Sequence, residues 1–175
     1  MTVVFPEATK QQGNTSVLFV ADLEDPTAPS LASEIGAATT LNVSCFLYTG
    51  GQITQTQNRG AAPRRLCTTE ELQQFGSRTT EVTDIQYVYD PQGDDADPAN
   101  AAYAALLDGT EWYMVQRKGL SAVDAPYLAT QRVSVTRVRL SAQNEGVTGD
   151  GEFDEFSITQ GVIALSPPVK GVVAA

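Results

Sequence analysis

The chain has 175 residues, of which 42% are hydrophobic, enough for the core of one ordinary domain and too many for wholesale disorder. Its 21 acidic and 11 basic residues give a formal net charge of −10, which disfavours binding to the phosphate backbone of nucleic acid. It contains no histidine, so Ser-His-Asp, Cys-His and His-zinc chemistry are excluded within the chain. No apolar run approaches the roughly 18 residues of a membrane span, and the start lacks a secretory signal, which together predict folding in the cytosol.

The first predicted elements are a strand and one turn of helix. Thr15–Ala21 is a compact apolar run that follows a Gly-Asn turn signal, a pattern typical of a strand. The next ten residues hold two prolines and three acids, which favours an extended arm over the surface. Ser30 can cap a short helix over residues 31–35, and Gly36 can end it.

A strand and a long polar excursion follow. Asn42–Thr49 predicts a strand in which Val43, Cys45 and Leu47 share one face. Gln52–Ser77 is polar throughout, and loops longer than roughly 12–15 residues are often functional. Within it, a capping box from Thr68 to Glu71 predicts a short helix that Gly76 ends.

The central unit is a strand, an acidic turn, an alanine-rich helix and a second strand. Thr79–Tyr89 predicts one strand whose core face carries Ile85, Tyr87 and Tyr89. After the acidic turn, Asp97 can cap a helix over Pro98–Leu107, with an apolar face that includes Tyr103, Leu106 and Leu107. Glu111–Arg117 predicts the second strand.

The last third of the chain predicts two more strands. Gln131–Ser141 alternates, but its apolar phase changes near Thr136 and Arg137, which indicates a β-bulge. Gln143–Gly151 is a predicted turn, and Glu152–Leu165 is the last strand region, with Gly161 as a second possible bulge. Six or seven strands with two or three short helices and long loops favour a mainly β fold, a β-sandwich or barrel.

Several groups of residues can be weighed as sites, and each also has a plain structural interpretation. The acids of the 90–97 turn and of residues 150–155 could hold a hard cation, but neither has the spacing of a calcium loop, and solvated loop acids are the simpler interpretation. The Trp112-Tyr113-Met114 run could be a ligand platform or strand core. Cys45 and Cys67 match no zinc pattern and are expected to be free, buried thiols.

The chain resembles the major tail (tail tube) proteins of long, non-contractile-tailed phages, especially those of actinobacterial hosts. The likeness is carried by Arg64-Arg65-Leu66-Cys67, Phe75-Gly76-Ser77-Arg78 and Ile85-Gln86-Tyr87-Val88-Tyr89-Asp90-Pro91-Gln92, and it continues through Asn100–Tyr103, Leu106–Arg117 and Val162–Ala175. It implies a single domain over residues 1–175, with residues 50–78 as an arm that bridges one ring to the next and residues 166–175 as a C-terminal tail. The contact residues it suggests are Gln52, Thr54, Gln57, Arg59, Arg64 and Arg65.

The resemblance further implies a mainly β subunit, a β-sandwich or half-barrel with a flanking short α-helix. Such subunits would assemble as stacked hexameric rings around a channel for genomic DNA, without catalysis, cofactor or metal. The implied partners are other copies of the chain, the tape measure, the tail terminator and the baseplate or tail-tip proteins, with passage of double-stranded DNA but no membrane. The implied locations are the virion tail and, during assembly, the host cytoplasm. Two other classes remain open: a capsid or tail accessory domain for decoration or adhesion, and a carbohydrate-binding or hydrolytic β-domain.

Overall fold

The computed structural model of the protein describes residues 9–63, 66–67, 72–94, 96–149 and 151–175. This part of the chain is mainly β, with a π-helical turn at Leu31–Ile35, a 3-10 turn at Pro98–Asn100 and one short helix, α1 (Ala101–Ala105). The strands are β1 (Thr15–Val20), β2 (Leu41–Asn42), β3 (Leu47–Thr49), β4 (Ile53–Ala61), β5 (Gln73–Val82), β6 (Ile85–Val88), β7 (Glu111–Lys118), β8 (Arg132–Val147), β9 (Phe156–Ala164) and β10 (Val169–Val172).

The main sheet is antiparallel and curls into a half-barrel. Its strand order is β2-β1-β7-β8-β9-β6-β3, and β10 pairs with the first residues of β8. In a flat sheet the outer strands β2 and β3 would be six spacings apart, about 29 Å. The chain joins them through residues 43–46 alone, which span at most about 18 Å. The two ends of the sheet are therefore brought towards each other.

Each face of the curled sheet carries its own apolar cluster. The inner cluster receives side chains from strands all around the sheet, including Phe19, Met114, Tyr87 and Ile158, each fully buried. The outer cluster, around Leu18, Val115, Val133 and Val135, is covered by the 22–36 segment and by the end of the chain. Strand β1, which lies between the edge strand β2 and β7, is consequently buried on both faces, as its continuous apolar run predicts.

The helix closes the inner cluster, and buried amides hold it there. Asp97 accepts a hydrogen bond from the Ala99 N–H at 2.8 Å, which confirms the predicted N-cap. Leu106, just after the helix, is fully buried, and the side-chain amide of Gln160 donates to its carbonyl at 2.8 Å. The prediction was wrong for Leu107, which is 54% exposed because the chain turns away after Leu106.

The connector after β7 is organised by a buried arginine. Arg117 is 1% exposed, and its guanidinium donates four hydrogen bonds, to the carbonyls of Ser121, Ala125 and Pro126 and to the Gln131 side chain. It also lies 4.3 Å from the centroid of the Tyr127 ring. Hydrogen bonds to the loop carbonyls thus stabilise a charge that would otherwise be costly to bury.

The predicted strand over residues 42–49 is instead two short strands and a turn. The Asn42 side chain accepts from the Ser44 backbone N–H at 3.1 Å and from the Ser44 hydroxyl at 2.6 Å. This local turn competes with strand pairing. Val43 is fully buried in the core whereas Cys45 is exposed on the turn, so the two side chains do not share one face as predicted.

The predicted strand over residues 79–89 is also two strands, which belong to different sheets. β5 ends at Val82 and β6 begins at Ile85. At the break, the Gly51 N–H donates to the Thr83 carbonyl and the Thr83 N–H donates to the Gln52 carbonyl. Ile85 and Tyr87 are fully buried, as predicted, because they lie in β6.

No bulge lies at Thr136 in β8, contrary to the prediction. The pairing with β7 runs without a shift from Glu111↔Arg139 to Gln116↔Ser134. The apolar phase changes because the strand passes from the outer cluster, at Val133 and Val135, to the inner one, at Val138 and Leu140.

The irregularity in this part of the sheet lies opposite Gly161, where a bulge was also predicted. The register between β8 and β9 shifts between Leu140 and Gln143, so β8 carries the extra residue. The Gly161 N–H donates to the Ser141 hydroxyl at 2.9 Å. Residues 143–147 continue β8, so the predicted turn was wrong at its start, and β10 lies within the predicted C-terminal tail.

Candidate assembly surface

The polar excursion is a two-stranded antiparallel ribbon formed by β4 and β5 alone. Its register runs from Ile53↔Val82 at the base to Ala61↔Gln73 at the outer end. A ribbon of this length extends about 30 Å at roughly 3.4 Å per residue. The predicted helix ending at Gly76 was wrong where it can be compared, because residues 73–76 are strand and residues 68–71 lie outside the described part of the chain.

Among the described residues of the ribbon, those at its base are supported by the inner cluster. Val82 is buried in the inner cluster, and Ile53 packs against that cluster. Residues 54–61 and 72–79 are all exposed. Because an isolated two-stranded ribbon is marginally stable in water, a ribbon of this kind gains most from a surface outside its own fold.

The ribbon joins the half-barrel through a tight double-glycine turn. Gly50 and Gly51 have φ values of +105° and +68°. A Cβ on Gly50 would lie 2.0 Å from the Asp84 carbonyl oxygen, so a side chain does not fit there. The buried side-chain amide of Gln116 donates to the Gly51 carbonyl at 2.5 Å, which fixes the turn to β7.

One face of the ribbon carries Phe75 and the two arginines that the structure describes there, Arg59 and Arg78. Arg59 pairs with Phe75 and Gln57 pairs with Arg78, so these four side chains share a face. The Arg59 guanidinium carbon lies 5.3 Å from the Phe75 ring centroid, and Phe75 is 68% exposed. The opposite face presents small or polar residues, including the pairs Thr54↔Glu81 and Thr56↔Thr79.

A bulge in β5 sets the register of this face. Two residues, Gly76 and Ser77, stand opposite Asn58, and the Asn58 amide donates to the Ser77 hydroxyl at 3.2 Å. The Gln57 amide donates to the Gly76 carbonyl at 3.5 Å. The bulge keeps Phe75 beside Arg59 on the same face as Arg78.

The structure brings four of the six predicted contact residues onto this one element. Thr54, Gln57 and Arg59 lie in β4, and Gln52 directly precedes it. Arg64 and Arg65 lie outside the described residues. The role of all six residues in inter-subunit contact stays a prediction. Phe75 and Arg78 were not among them, and the structure places both on the exposed face that carries Arg59. A bulky residue and an arginine in an otherwise small, polar run are the signal that could have singled them out.

A second surface, the aromatic slot, lies at the end of β6. It is a concave cavity of about 320 Å³ lined by Tyr89, Asp90, Pro91, Gln92, Glu145, Gly146 and Phe156. The Tyr89 ring packs against the Tyr103 ring at a tilted angle of 44°, with centroids 4.7 Å apart, and the Tyr89 hydroxyl donates to Glu145 at 3.4 Å. Partial desolvation and the nearby Glu145 carboxylate raise the pKa of Tyr89. Phe156 is 59% exposed on the other side of the cavity.

The other sequence candidates have structural explanations. Met114 is fully buried and Trp112 packs edge-on against Phe19 at 6.3 Å, so this run is strand core. In the part of the chain that the structure describes, no three Cys, Asp or Glu side chains converge as metal ligands. Cys45 and Cys67 are free thiols, but both are exposed, so their predicted burial was wrong.

A charged patch lies on the outer face of the sheet. Glu111 accepts hydrogen bonds from both Arg137 and Arg139 across the β7–β8 ladder. These contacts, led by the Arg139 hydrogen bond, lower the pKa of Glu111. The pairs are exposed, so they contribute little to stability.

The described helices include none long and apolar enough to cross a membrane. No curated protein matches the chain. A family model described as phage tail tube protein matches residues 3–175, which is nearly the whole sequence. The mainly β half-barrel with one short helix agrees with that match. The chain therefore belongs to the phage tail tube protein family, which gives it a structural role in the tube of the virion tail.

Proposed function

We propose that this protein polymerises as stacked hexameric rings into the tube of a long, non-contractile phage tail, and that the channel of this tube conducts genomic DNA during ejection. In this proposal the subunit catalyses no reaction, and the assembled tube is the functional form. Tube growth starts and ends on other tail proteins: the tape measure, the tail-tip or baseplate proteins and the tail terminator.

The observation that carries the proposal is the β4–β5 ribbon. It extends about 30 Å and its outer residues contact solvent on both faces, as expected for an arm that reaches a neighbouring ring. In the described part of the chain its two strands pair with each other and with no third strand, so the ribbon by itself is marginally stable. Docking on a neighbouring copy would supply the supporting surface that it lacks.

The charge of the chain suits a conduit for DNA. Double-stranded DNA carries one negative charge per about 1.7 Å of its axis, and a basic wall would bind it through many phosphate contacts. A subunit with a net charge of −10 supplies a repulsive wall instead. In this proposal the duplex slides through the channel without being held.

The sheet edges also favour assembly into a closed ring. The terminal strands β2 and β3 have only two and three residues, which limits uncontrolled edge pairing in the free subunit. Lateral contacts between neighbouring half-barrels would cover the remaining edges. A ring with six-fold symmetry closes these contacts, whereas the ribbon contact along the axis stays open-ended.

Negative-stain electron microscopy of the purified protein at increasing concentration tests this proposal. We expect hollow tubes or six-fold rings, either alone or after addition of the tail-tip initiator complex. A protein that stays monomeric or trimeric under all these conditions would favour a decoration or adhesion domain. Hydrolysis of a glycan that a single Asp or Glu substitution abolishes would favour the hydrolytic alternative.

A further inference from the structure

The ribbon and the aromatic slot lie at opposite ends of one strand. The ribbon enters the half-barrel at Val82, three residues before Ile85 opens β6. The slot begins with Tyr89, directly after β6 ends at Val88. A subunit therefore carries a projecting element at one end of this strand and a concave aromatic surface at the other.

The two surfaces have complementary charge. Residues 53–82 contain four arginines and three glutamates, whereas the rest of the chain contains seven basic and 18 acidic residues. The slot lies in the most acidic region: residues 89–97 and 145–155 together contain nine Asp or Glu and no Lys or Arg. Because the acidic slot belongs to this same chain, a second copy of the chain offers the ribbon a surface of opposite charge.

The two surfaces also have complementary shape and polarity. The ribbon presents Phe75, backed by Arg59, on the face that also carries Arg78. The slot presents Tyr89, Pro91 and Phe156, with the carboxylates of Asp90 and Glu145 among its lining residues. An exposed aromatic ring flanked by guanidinium groups fits an aromatic cavity flanked by carboxylates, because burial and ion pairing then act together.

We propose that the ribbon of one copy docks in the aromatic slot of a second copy of this chain, with Phe75 against Tyr89 and Phe156, and with Arg59 and Arg78 facing Asp90 and Glu145. This inference rests on the proposed function, since it names the receptor for the arm. The contact joins two different surfaces, so it is head-to-tail, and each docked pair leaves one ribbon and one slot free. Its repetition gives open-ended growth along the tube axis.

Disulfide trapping between two variants tests the pairing of surfaces. In a Cys45→Ser, Cys67→Ser background, one protein carries Phe75→Cys and the other carries Phe156→Cys. We expect the co-assembled mixture, oxidised with copper phenanthroline, to give a covalent dimer that neither protein gives alone. Thr79→Cys, on the opposite face of the ribbon, is the matched control and should give at least about tenfold less dimer with Phe156→Cys.

Charge reversal tests the head-to-tail arrangement. Arg59→Glu removes a functional ribbon and Glu145→Arg removes a functional slot, so each protein alone should require at least about a tenfold higher concentration to form tubes. Mixed together, the unchanged ribbon of one protein meets the unchanged slot of the other, and the reversed ribbon meets the reversed slot with opposite charges again. The mixture should therefore form tubes at a lower concentration than either protein alone. Glu24→Arg, an exposed acid on the 22–36 segment, makes the same charge change and should leave tube formation unaltered.

The outcomes separate this inference from the proposed function. Suppose that the wild-type protein forms tubes and that the Glu145→Arg protein forms them at the same concentration. This result would overturn the proposal that the slot receives the ribbon, while the tube proposal would stand. Equal dimer yields from Phe75→Cys and Thr79→Cys would overturn it as well. A wild-type protein that never forms rings or tubes would refute the proposed function itself, and the slot with it.

Discussion

Replacing the ribbon by a tight turn is expected to separate folding from assembly. Thr54 and Glu81 are direct partners across the ribbon, so an Asn-Gly pair in place of residues 55–80 can join them in a two-residue hairpin turn. Ile53 and Val82, which contact the inner cluster, are retained. The change removes the exposed part of the ribbon and leaves the half-barrel intact.

The expected effect on stability is small because almost all the deleted residues of known burial are exposed. Shortening a 26-residue connection to two residues lowers the cost of loop closure by about 2 kcal/mol at most, since each halving is worth about 0.6 kcal/mol. The pairing lost within the ribbon is itself marginal. We therefore expect the free energy of unfolding to change by about 2 kcal/mol or less.

The assay pairs urea unfolding with microscopy. Trp112 is the single tryptophan and packs against the inner cluster, so its fluorescence reports unfolding of the half-barrel. The ribbonless protein should unfold cooperatively and form no stacked tubes at concentrations at which a Thr79→Ala control does. Tubes of normal length from the ribbonless protein would refute the role of the ribbon, and loss of cooperative unfolding would show that the ribbon supports the fold.

Three further predictions concern the half-barrel. Ile85→Asp buries an unpaired charge at a fully buried position and should destabilise the fold by about 4 kcal/mol or more, whereas Ile163→Asp, at a side chain 63% exposed, should be tolerated in the same urea titration. Arg117→Met removes all four guanidinium hydrogen bonds, so the amides of residues 119–130 should exchange with deuterium faster, while unchanged exchange would contradict the anchoring role. Burial raises the pKa of Tyr87 to about 12, so the folded state binds more protons than the unfolded state above pH 10, and stability should fall between about pH 10 and 12. Tyr87→Phe should flatten that decline, and an equally steep loss in the variant would rule out Tyr87 as its source.

The mainly β fold could be predicted because apolar alternation and strand-favouring residues mark β1, β7 and β9 directly. The ribbon could not be found this way. Its Thr, Gln, Ser and Arg side chains are polar on both faces, so β4 and β5 have no hydrophobic period. The same polar composition explains why the described strands β4 and β5 are exposed beyond the base of the ribbon.

The errors in the strands have local physical causes. The Asn42 side chain folds residues 42–46 into a turn where alternation alone predicts a strand. In β8 a change of apolar phase indicates a bulge only if one face is buried. Here both faces of β8 are covered, at different points along the strand. The sequence does not show that the 22–36 segment and the C-terminal residues cover the outer face.

The aromatic slot also lay beyond sequence reasoning. Its lining comes from the turn after β6 and from the ends of β8 and β9, which meet only through the β6–β9 and β8–β9 pairings. Phe156 has the same alternation as the buried Ile158, and its exposure follows from its position beyond the inner cluster. By contrast, the acidic turn that borders the slot was visible as a run of aspartates.

A cryo-electron microscopy reconstruction of the assembled protein tests the central claim most directly. We predict rings of six half-barrels in which the density of each β4–β5 ribbon leaves its own subunit and contacts a copy in the adjacent ring. Ribbons that fold back on their own half-barrel, or rings held together entirely by other surfaces, would contradict the account.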